Sequence, residues 1–332
     1  MAVVSVAQYG ARHEHAAGKV SVLAACPDVE LLGVYEPDPE ARGAAQRNPA
    51  YAGVHWYESA GQLLGNPRLA AVAVEGRNDQ SLAMALESAR AGKHVWFDKP
   101  GGDDWSSFQE LIATARRRGT VVQMGYQWRY HDGFRTIADW VRSGLLGEIF
   151  KIRAHLSTAL PLAEREVMSK HRGGVFFNLA GHVLDQIIWV LGRPGRIRSL
   201  FRNDATPTVP AYVDNAVAIL EFDRALAIVD IASMETRPLA RRYEVYGTRG
   251  SAIMEPFEPA SQLRLCLDEA REGYVAGEQV VPVAAQSRPE QYARDLAVFL
   301  ATLRGAPPGR TMEHELLLQE TLLRATGVVA GD

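Results

Sequence analysis

The stretch Val3-Val4-Ser5-Val6-Ala7-Gln8-Tyr9-Gly10-Ala11-Arg12-His13 decides the fold. Val3 to Ala7 is a short run rich in β-branched residues and reads as a strand, and Glu14 to Cys26 reads as the helix after it. Gln8 to His13 lies between them, where a dinucleotide-binding unit places G-x-G-x-x-G. Only the middle glycine of that pattern is present, as Gly10. The missing side chain lets backbone approach a pyrophosphate, and the helix start that follows offers free N–H groups to the anion. Tyr9, Gly10, Ala11, Arg12 and His13 are therefore candidate cofactor contacts. A lone glycine reads equally well as a plain strand-to-helix turn, so the surrounding sequence has to choose.

Outward from this loop, short apolar runs alternate with helical patterns, the sequence form of a parallel sheet covered by helices. Glu30 to Tyr35 is a second strand, Leu69 to Val74 a third and His94 to Phe97 a fourth; helices are expected near Gln80 to Ala91 and Asp104 to Arg118, and Val121 to Met124 closes a set of five or six strands. That is one complete doubly wound nucleotide-binding domain over residues 1–125. The second strand ends at Glu36, roughly 20 to 25 residues beyond the loop, where a carboxylate accepts hydrogen bonds from the ribose hydroxyls and repels a 2'-phosphate. Glu36 thus favours NAD over NADP, with a polar strand end before Pro37 as the plainer reading and Arg12 as a side chain able to reach a phosphate. Asn78 follows the third strand at the carboxyl edge of the sheet, as a ligand contact or as an Asx-type turn.

After Gly125 the rhythm changes to strands of alternating polarity, Ile149 to Leu156, Ala216 to Phe222, Ala225 to Ile231 and Tyr243 to Tyr246, with one strongly apolar helix among them. Hairpin-linked strands of this kind predict an α+β domain over residues 126–332 with a large, open, mostly antiparallel sheet. Two amphipathic helices, Pro289 to Arg304 and Glu313 to Thr326, finish the chain. The 332 residues, 47% of them apolar and 23% charged, suit about two well-packed domains and exclude disordered, collagen-like and mucin-like classes. A net charge of -3, with Arg116 to Arg118 as the densest basic cluster, gives no field for nucleic acid or an anionic membrane. Cys26 and Cys266 follow no ligand spacing, so neither a disulfide framework nor a metal site is expected. The apolar run Ala2 to Ala7 has no basic region before it, and no uninterrupted apolar stretch approaches the roughly 18 residues of a membrane span. A cytoplasmic protein is expected.

The segment Ala91-Gly92-Lys93-His94-Val95-Trp96-Phe97-Asp98-Lys99-Pro100 places a lysine at the carboxyl end of the fourth strand. Such a lysine points into the cofactor cleft and, where burial and a nicotinium charge lower its pKa, moves a proton; the plainer reading is a solvated surface lysine. The segment closely resembles the AGKHV…EKP stretch of the glucose-fructose oxidoreductase, inositol dehydrogenase and rhizopine-catabolism (Gfo/Idh/MocA) family, with Asp98 in place of the usual glutamate. Tyr246 to Ser251 (YGTRGS), Gly144 to Gly147 within SGLLGE, and the GG…H-x-x-D pattern from Gly173 to Asp185 resemble the family too, so the likeness covers nearly the whole chain. It implies a Rossmann dinucleotide-binding domain followed by an α+β domain, NAD as cofactor, and Lys99 and His182 as catalytic residues.

The helix Val175 to Leu191 is apolar almost all round yet carries Asn178, His182, Asp185 and Gln186 along one face. The stripe reads as the lining of a pocket, or as a core histidine satisfied by Asp185. The resemblance implies an aspartate and a histidine four residues apart working beside the lysine; Asn178 stands at the aspartate's position, and an amide cannot take up a proton. Asn178 then orients substrate or the imidazole. Arg129, in Gln127-Trp128-Arg129-Tyr130-His131, resembles the family's arginine near cofactor and substrate, with a domain-interface salt bridge as its other reading. The segment Ala163 to Arg172 reads as a polar loop whose donors, Arg165 among them, suit a hydroxylated ligand or plain solvent.

The expected activity is hydride transfer between NAD and a secondary hydroxyl or ketone of a sugar, cyclitol or glycoside, in a homodimer or homotetramer. Two other classes share these residues: a glycoside-cleaving enzyme that cycles NAD through oxidation, elimination and reduction, and a catalytically silent NAD-sensing regulator.

Overall fold

The computed structural model describes residues 3–330; Met1, Ala2, Gly331 and Asp332, and with Ala2 the first residue of the amino-terminal apolar run, lie outside them. The chain forms two compact units, one running to Gln127 and taking back Arg288–Leu316, the other comprising Trp128–Ser287 and the chain from Leu317 on.

The first unit begins β1 (Val4–Tyr9), α1 (Ala16–Ala25), β2 (Val29–Tyr35), α2 (Pro39–Gln46), α3 (Ala60–Leu64), β3 (Ala71–Val74), α4 (Ser81–Arg90), β4 (His94–Phe97), α5 (Trp105–Arg118) and β5 (Val122–Met124). Its five strands are all parallel, in the order β2-β1-β3-β4-β5. The register aligns their ends: Tyr9 pairs with Tyr35 and Val74, Val74 with Phe97, and Phe97 with Met124. Gly10, Glu36, Glu75 and Asp98 consequently leave the sheet along one edge, the carboxyl edge where open α/β sheets bind ligands. Local chemistry sets the helix ends. Asp38 caps α2 by accepting from the N–H groups of Glu40 and Ala41, with Pro39 at the first position; Asp104 caps α5 through the Ser107 N–H, and Gly119 ends it at φ +67°.

The second unit contains α6 (Asp132–Ser143), β6 (Ile149–His155), α7 (Leu162–Met168), α8 (Gly174–Leu191), β7 (Arg196–Arg202), β8 (Asn215–Glu221), β9 (Leu226–Ala232), β10 (Arg242–Gly247), β11 (Gly250–Met254), β12 (Gln262–Leu267) and β13 (Gly277–Pro282). Its eight-stranded sheet runs β13-β12-β11-β10-β6-β9-β8-β7 and is antiparallel except for β6 on β9. Alternation along the strands buries Ile152 and Ala154 of β6, Ala227 and Val229 of β9, and Ala218 and Leu220 of β8, and α8 packs on β9 and β8. The segment Ala163 to Arg172, expected as a loop, is largely the helix α7. With its polar stripe included, α8 has the length and composition of a membrane span, but 78% of it is buried inside the protein, as a core helix is.

The chain then forms α9 (Arg288–Leu303) and α10 (Met312–Ala325). Here the structure departs from a second domain running unbroken over 126–332. Leu296, Phe299 and Leu300 of α9 share one core with Val6, Leu23, Ala71, Ala73 and Trp96, and buried Asp295 accepts hydrogen bonds from Trp96 Nε1 at 2.7 Å and Gln123 Nε2 at 2.8 Å. The buried pair Arg310–Glu315 continues the attachment: Glu315 accepts from the Met124 N–H at 3.1 Å, and Arg310 donates to the carbonyls of Met124 and Tyr126. Cys26 and Cys266 are both free thiols.

Candidate functional site

Gly10 is the hinge of the β1–α1 loop. Its φ of +89° is a left-handed conformation, and a Cβ on it would lie 2.4 Å from the Gly76 backbone nitrogen, so the position excludes any side chain. The two departures from the glycine pattern are accommodated by turning inward. Gln8 Nε2 donates to the Gly10 carbonyl at 2.9 Å and to the Tyr51 hydroxyl at 3.0 Å, bracing the loop from beneath. His13 reaches the end of β4, where its Nε2–H donates to the Lys99 carbonyl at 3.0 Å while its Nδ1 accepts from the His15 N–H at 3.2 Å. That arrangement defines a neutral imidazole, and burial pushes His13 down to about 3.

The N–H groups of the loop itself are engaged. Gly10 donates to Tyr35 O, Ala11 to Glu36 Oε2 at 2.7 Å, and Arg12 and His13 both to Glu75 O at 3.0 Å. What faces outward is the Arg12 guanidinium, paired with Asp38 at 2.9 Å, and the start of α1, whose first turn has neither a side-chain cap nor an acidic residue. A cavity of about 390 Å³ opens against Ala11 to Glu14 and is walled by the small side chains of Ala17, Ala41 and Ala44. Space, an uncapped helix start, a guanidinium and a strand-end carboxylate fit a pyrophosphate and a ribose. Glu36 also accepts from the Asp38 N–H at 3.0 Å, so each of its carboxylate oxygens organises the loop backbone. Tyr9 is turned elsewhere: its hydroxyl donates to Glu87 of α4 at 2.9 Å, because strand alternation points it opposite to Gln8. Asn78 lies in the turn between β3 and α4.

Beneath the loop lies a charged cluster with little signal in the sequence. Lys19, fully buried, places Nζ 2.9 Å from both Glu75 Oε1 and Asp98 Oδ2 and 4.1 Å above the Trp96 ring. His15 Nδ1 donates to Asp98 Oδ2 at 3.0 Å. Burial acts to raise the Asp98 carboxyl, but the Lys19 ammonium and the hydrogen bond from His15 hold it well below the usual range; burial pushes Glu75 well above it, with Lys19 opposing. His13, His15 and Asp98 bring donor atoms within 4.8 Å of one another, and the Lys19 ammonium supplies the positive charge there. The only sequence signals were charges set inside apolar runs: Lys19 within Ala-Gly-Lys-Val, and Glu75 directly after Ala-Val-Ala-Val.

Lys99 follows Asp98, is 2% exposed, and donates its N–H to Asp98 Oδ1 at 2.7 Å. Its Nζ lies 3.3 Å from Glu14 Oε1. The structure thus brings Lys99 together with the loop residues His13 and Glu14.

In the second unit, Asn178 and His182 sit one turn apart on α8, 7% and 5% exposed, with the His182 ring 4.5 Å from Trp128. Arg129 and Asp185, expected at the substrate, form a buried bidentate ion pair, with Arg129 Nε donating to Asp185 Oδ2 at 3.0 Å and the guanidinium stacked on Trp189. Gln186 Nε2 donates to the same carboxylate at 3.0 Å. Arg165 is likewise engaged within the unit, donating to Leu160 O, Thr206 Oγ1 and Ser233 O. All three side chains brace the scaffold, since a buried guanidinium or carboxylate must be paired where it lies.

Comparison with known proteins follows this geometry closely. Residues 6–126 match the family model described as an oxidoreductase family with an NAD-binding Rossmann fold, and residues 134–253 match the GFO/IDH/MocA C-terminal domain. An uncharacterized oxidoreductase of Escherichia coli, YhhX, is 27% identical over 295 residues, 84% of this chain and 83% of that protein. The myo-inositol 2-dehydrogenase of Thermotoga maritima is 22% identical over 269 residues, 76% of this chain and 75% of its own. An oxidoreductase from Agrobacterium radiobacter, solved with NAD+, L-tartaric acid and magnesium, superposes with a TM-score of 0.82 at 15% identity, covering 98% of this chain and 96% of that one.

Proposed function

The chain belongs to the GFO/IDH/MocA family of NAD-binding oxidoreductases, and on that premise we propose that it oxidises a secondary hydroxyl of a sugar, cyclitol or glycoside, or reduces the matching ketone. The observation that carries this reading is Lys99, a buried amine at the carboxyl edge of the parallel sheet, tied through its carbonyl and its ammonium to the loop that fits a dinucleotide. When bound, NAD supplies the hydride acceptor and NADH the donor. Lys99 and His182 hold and move the hydroxyl proton, while Asn178 orients by hydrogen bonding alone. Glu36 sets its negative charge where NADP carries a 2'-phosphate, so NAD is expected to bind the more tightly. A cytoplasmic location and a homodimer or homotetramer complete the proposal, the latter supported by the apolar side chains Phe150, Ile219, Leu226 and Val280 exposed on the second sheet.

Incubation with NAD and a panel of cyclitols, aldoses and glycosides, with NADH absorbance and product analysis as readouts, tests the reading. NADH forming in step with a ketone supports the dehydrogenase. Product without NADH accumulation assigns the closed cycle, and stabilisation by NAD with no substrate turned over assigns the silent regulator. Lys99→Ala is expected to lower kcat/KM by about 10²- to 10⁴-fold while keeping the thermal stabilisation that NAD confers. A Lys99→Ala protein as active as the wild type would remove Lys99 from the chemistry.

A further inference from the structure

The β1–α1 loop puts a carboxylate beside the Lys99 amine. Glu14 Oε1 lies 3.3 Å from Lys99 Nζ, on a side chain 58% exposed at the mouth of the loop, whereas the lysine is buried. The other titratable groups around Lys99 within the first unit are already committed. His13 is neutral and hydrogen-bonded to the Lys99 carbonyl; Asp98 is held by Lys19, His15 and the Lys99 N–H; His15 itself lies 3.4 Å from Glu14 Oε1. Glu14 is therefore the carboxylate that the Lys99 side chain meets.

We propose that Glu14 is a positioning residue that keeps Lys99 aimed as an ammonium. The inference rests on the oxidoreductase reading and deepens it. Lys99 beside Glu14 acts as a proton donor: in ketone reduction the carbonyl carbon gains a hydride from NADH, the oxygen gains the Lys99 proton, and the amine recovers a proton from water. The Lys99 charge, reciprocally, is the first cause holding Glu14 down at about 2.

The chain has five lysines, Lys19, Lys93, Lys99, Lys151 and Lys170, so protein labelled with 13C-lysine gives few signals, and Lys99→Arg identifies that of Lys99. In Glu14→Gln the Lys99 signal is expected to titrate at least about one pH unit lower than in the wild type, since the pull of a unit charge at 3.3 Å is about that in water and stronger at a buried amine. Glu14→Asp is expected to restore most of that shift, and melting temperatures establish that both variants are folded. The same displacement is expected in the lysine-dependent limb of the kcat/KM profile for NADH-dependent ketone reduction. A Lys99 titration unchanged in folded Glu14→Gln overturns the inference. The titration needs no substrate, so it decides the role of Glu14 separately; failure of every polyol and ketone to react would instead count against the oxidoreductase reading.

Discussion

His155 on β6 is hydrogen-bonded to Asp230 and Glu235 and is pushed up to about 8, the Asp230 bond being the largest cause, burial opposing and Glu235 assisting. Buried His13 goes the other way, down to about 3. Because the folded value of His155 lies above the ordinary 6.5, the folded state binds the proton more tightly. The stabilisation is complete below about pH 6.5 and is lost as pH rises through about 8. The ring is 32% exposed, which screens the effect to about 1 kcal/mol. Urea unfolding of wild type and His155→Gln checks this: a stability gap near pH 6 is expected to close near pH 9, and a gap that did not change with pH would refute it. Nothing in the local sequence marks His155, since its partners are 75 and 80 residues away. Gly10 was legible as the turn glycine because that role follows from its place in one strand-loop-helix unit; how Gln8 and His13 replace glycines was not, because it depends on Tyr51 and Lys99 lying behind the loop.

α8 was legible as a helix with a polar stripe, from period alone. That Asp185 holds the scaffold was decided by a partner 56 residues away, Arg129, whose guanidinium takes both of its oxygens. Removing one member of a buried pair strands the other's charge, so Asp185→Ala is expected to destabilise the second unit by about 3–5 kcal/mol. Replacing both, Arg129→Met with Asp185→Leu, is expected to recover most of that loss, because neither charge is then left unpaired. Denaturant unfolding of the two variants decides it, and a double variant as unstable as the single one would show that the pair is not an independent unit. α7 makes a similar point: a segment rich in donors read as a ligand loop, but Arg165 bonds it to Leu160, Thr206 and Ser233.

The molecule divides by packing rather than by chain order, for Arg288–Leu316 returns to the amino-terminal unit. Without α9, the apolar faces of Val6, Leu23 and Trp96 lose Leu296, Phe299 and Leu300, and Trp96 Nε1 and Gln123 lose Asp295. Residues 3–127 alone are therefore expected to lack cooperative unfolding, while the same residues joined by a flexible linker to 288–316 are expected to unfold cooperatively and to be stabilised by NAD. Calorimetry of the two proteins tests this; cooperative unfolding of the shorter one would show that α9 is dispensable. The doubly wound parallel sheet, read as five or six strands, the mostly antiparallel second sheet and the apolar helix followed from the residues alone, because strand and helix periods, capping residues and turn glycines act over a few neighbours. The order of the strands, the parallel seam of β6 on β9, the Lys19–Glu75–Asp98 cluster and the return of α9 came only with the tertiary structure. Each depends on groups far apart in sequence meeting in space, Trp96 and Asp295 being 199 residues apart, where burial leaves a charge or a polar atom no solvent and obliges it to take whichever partner the packing brings.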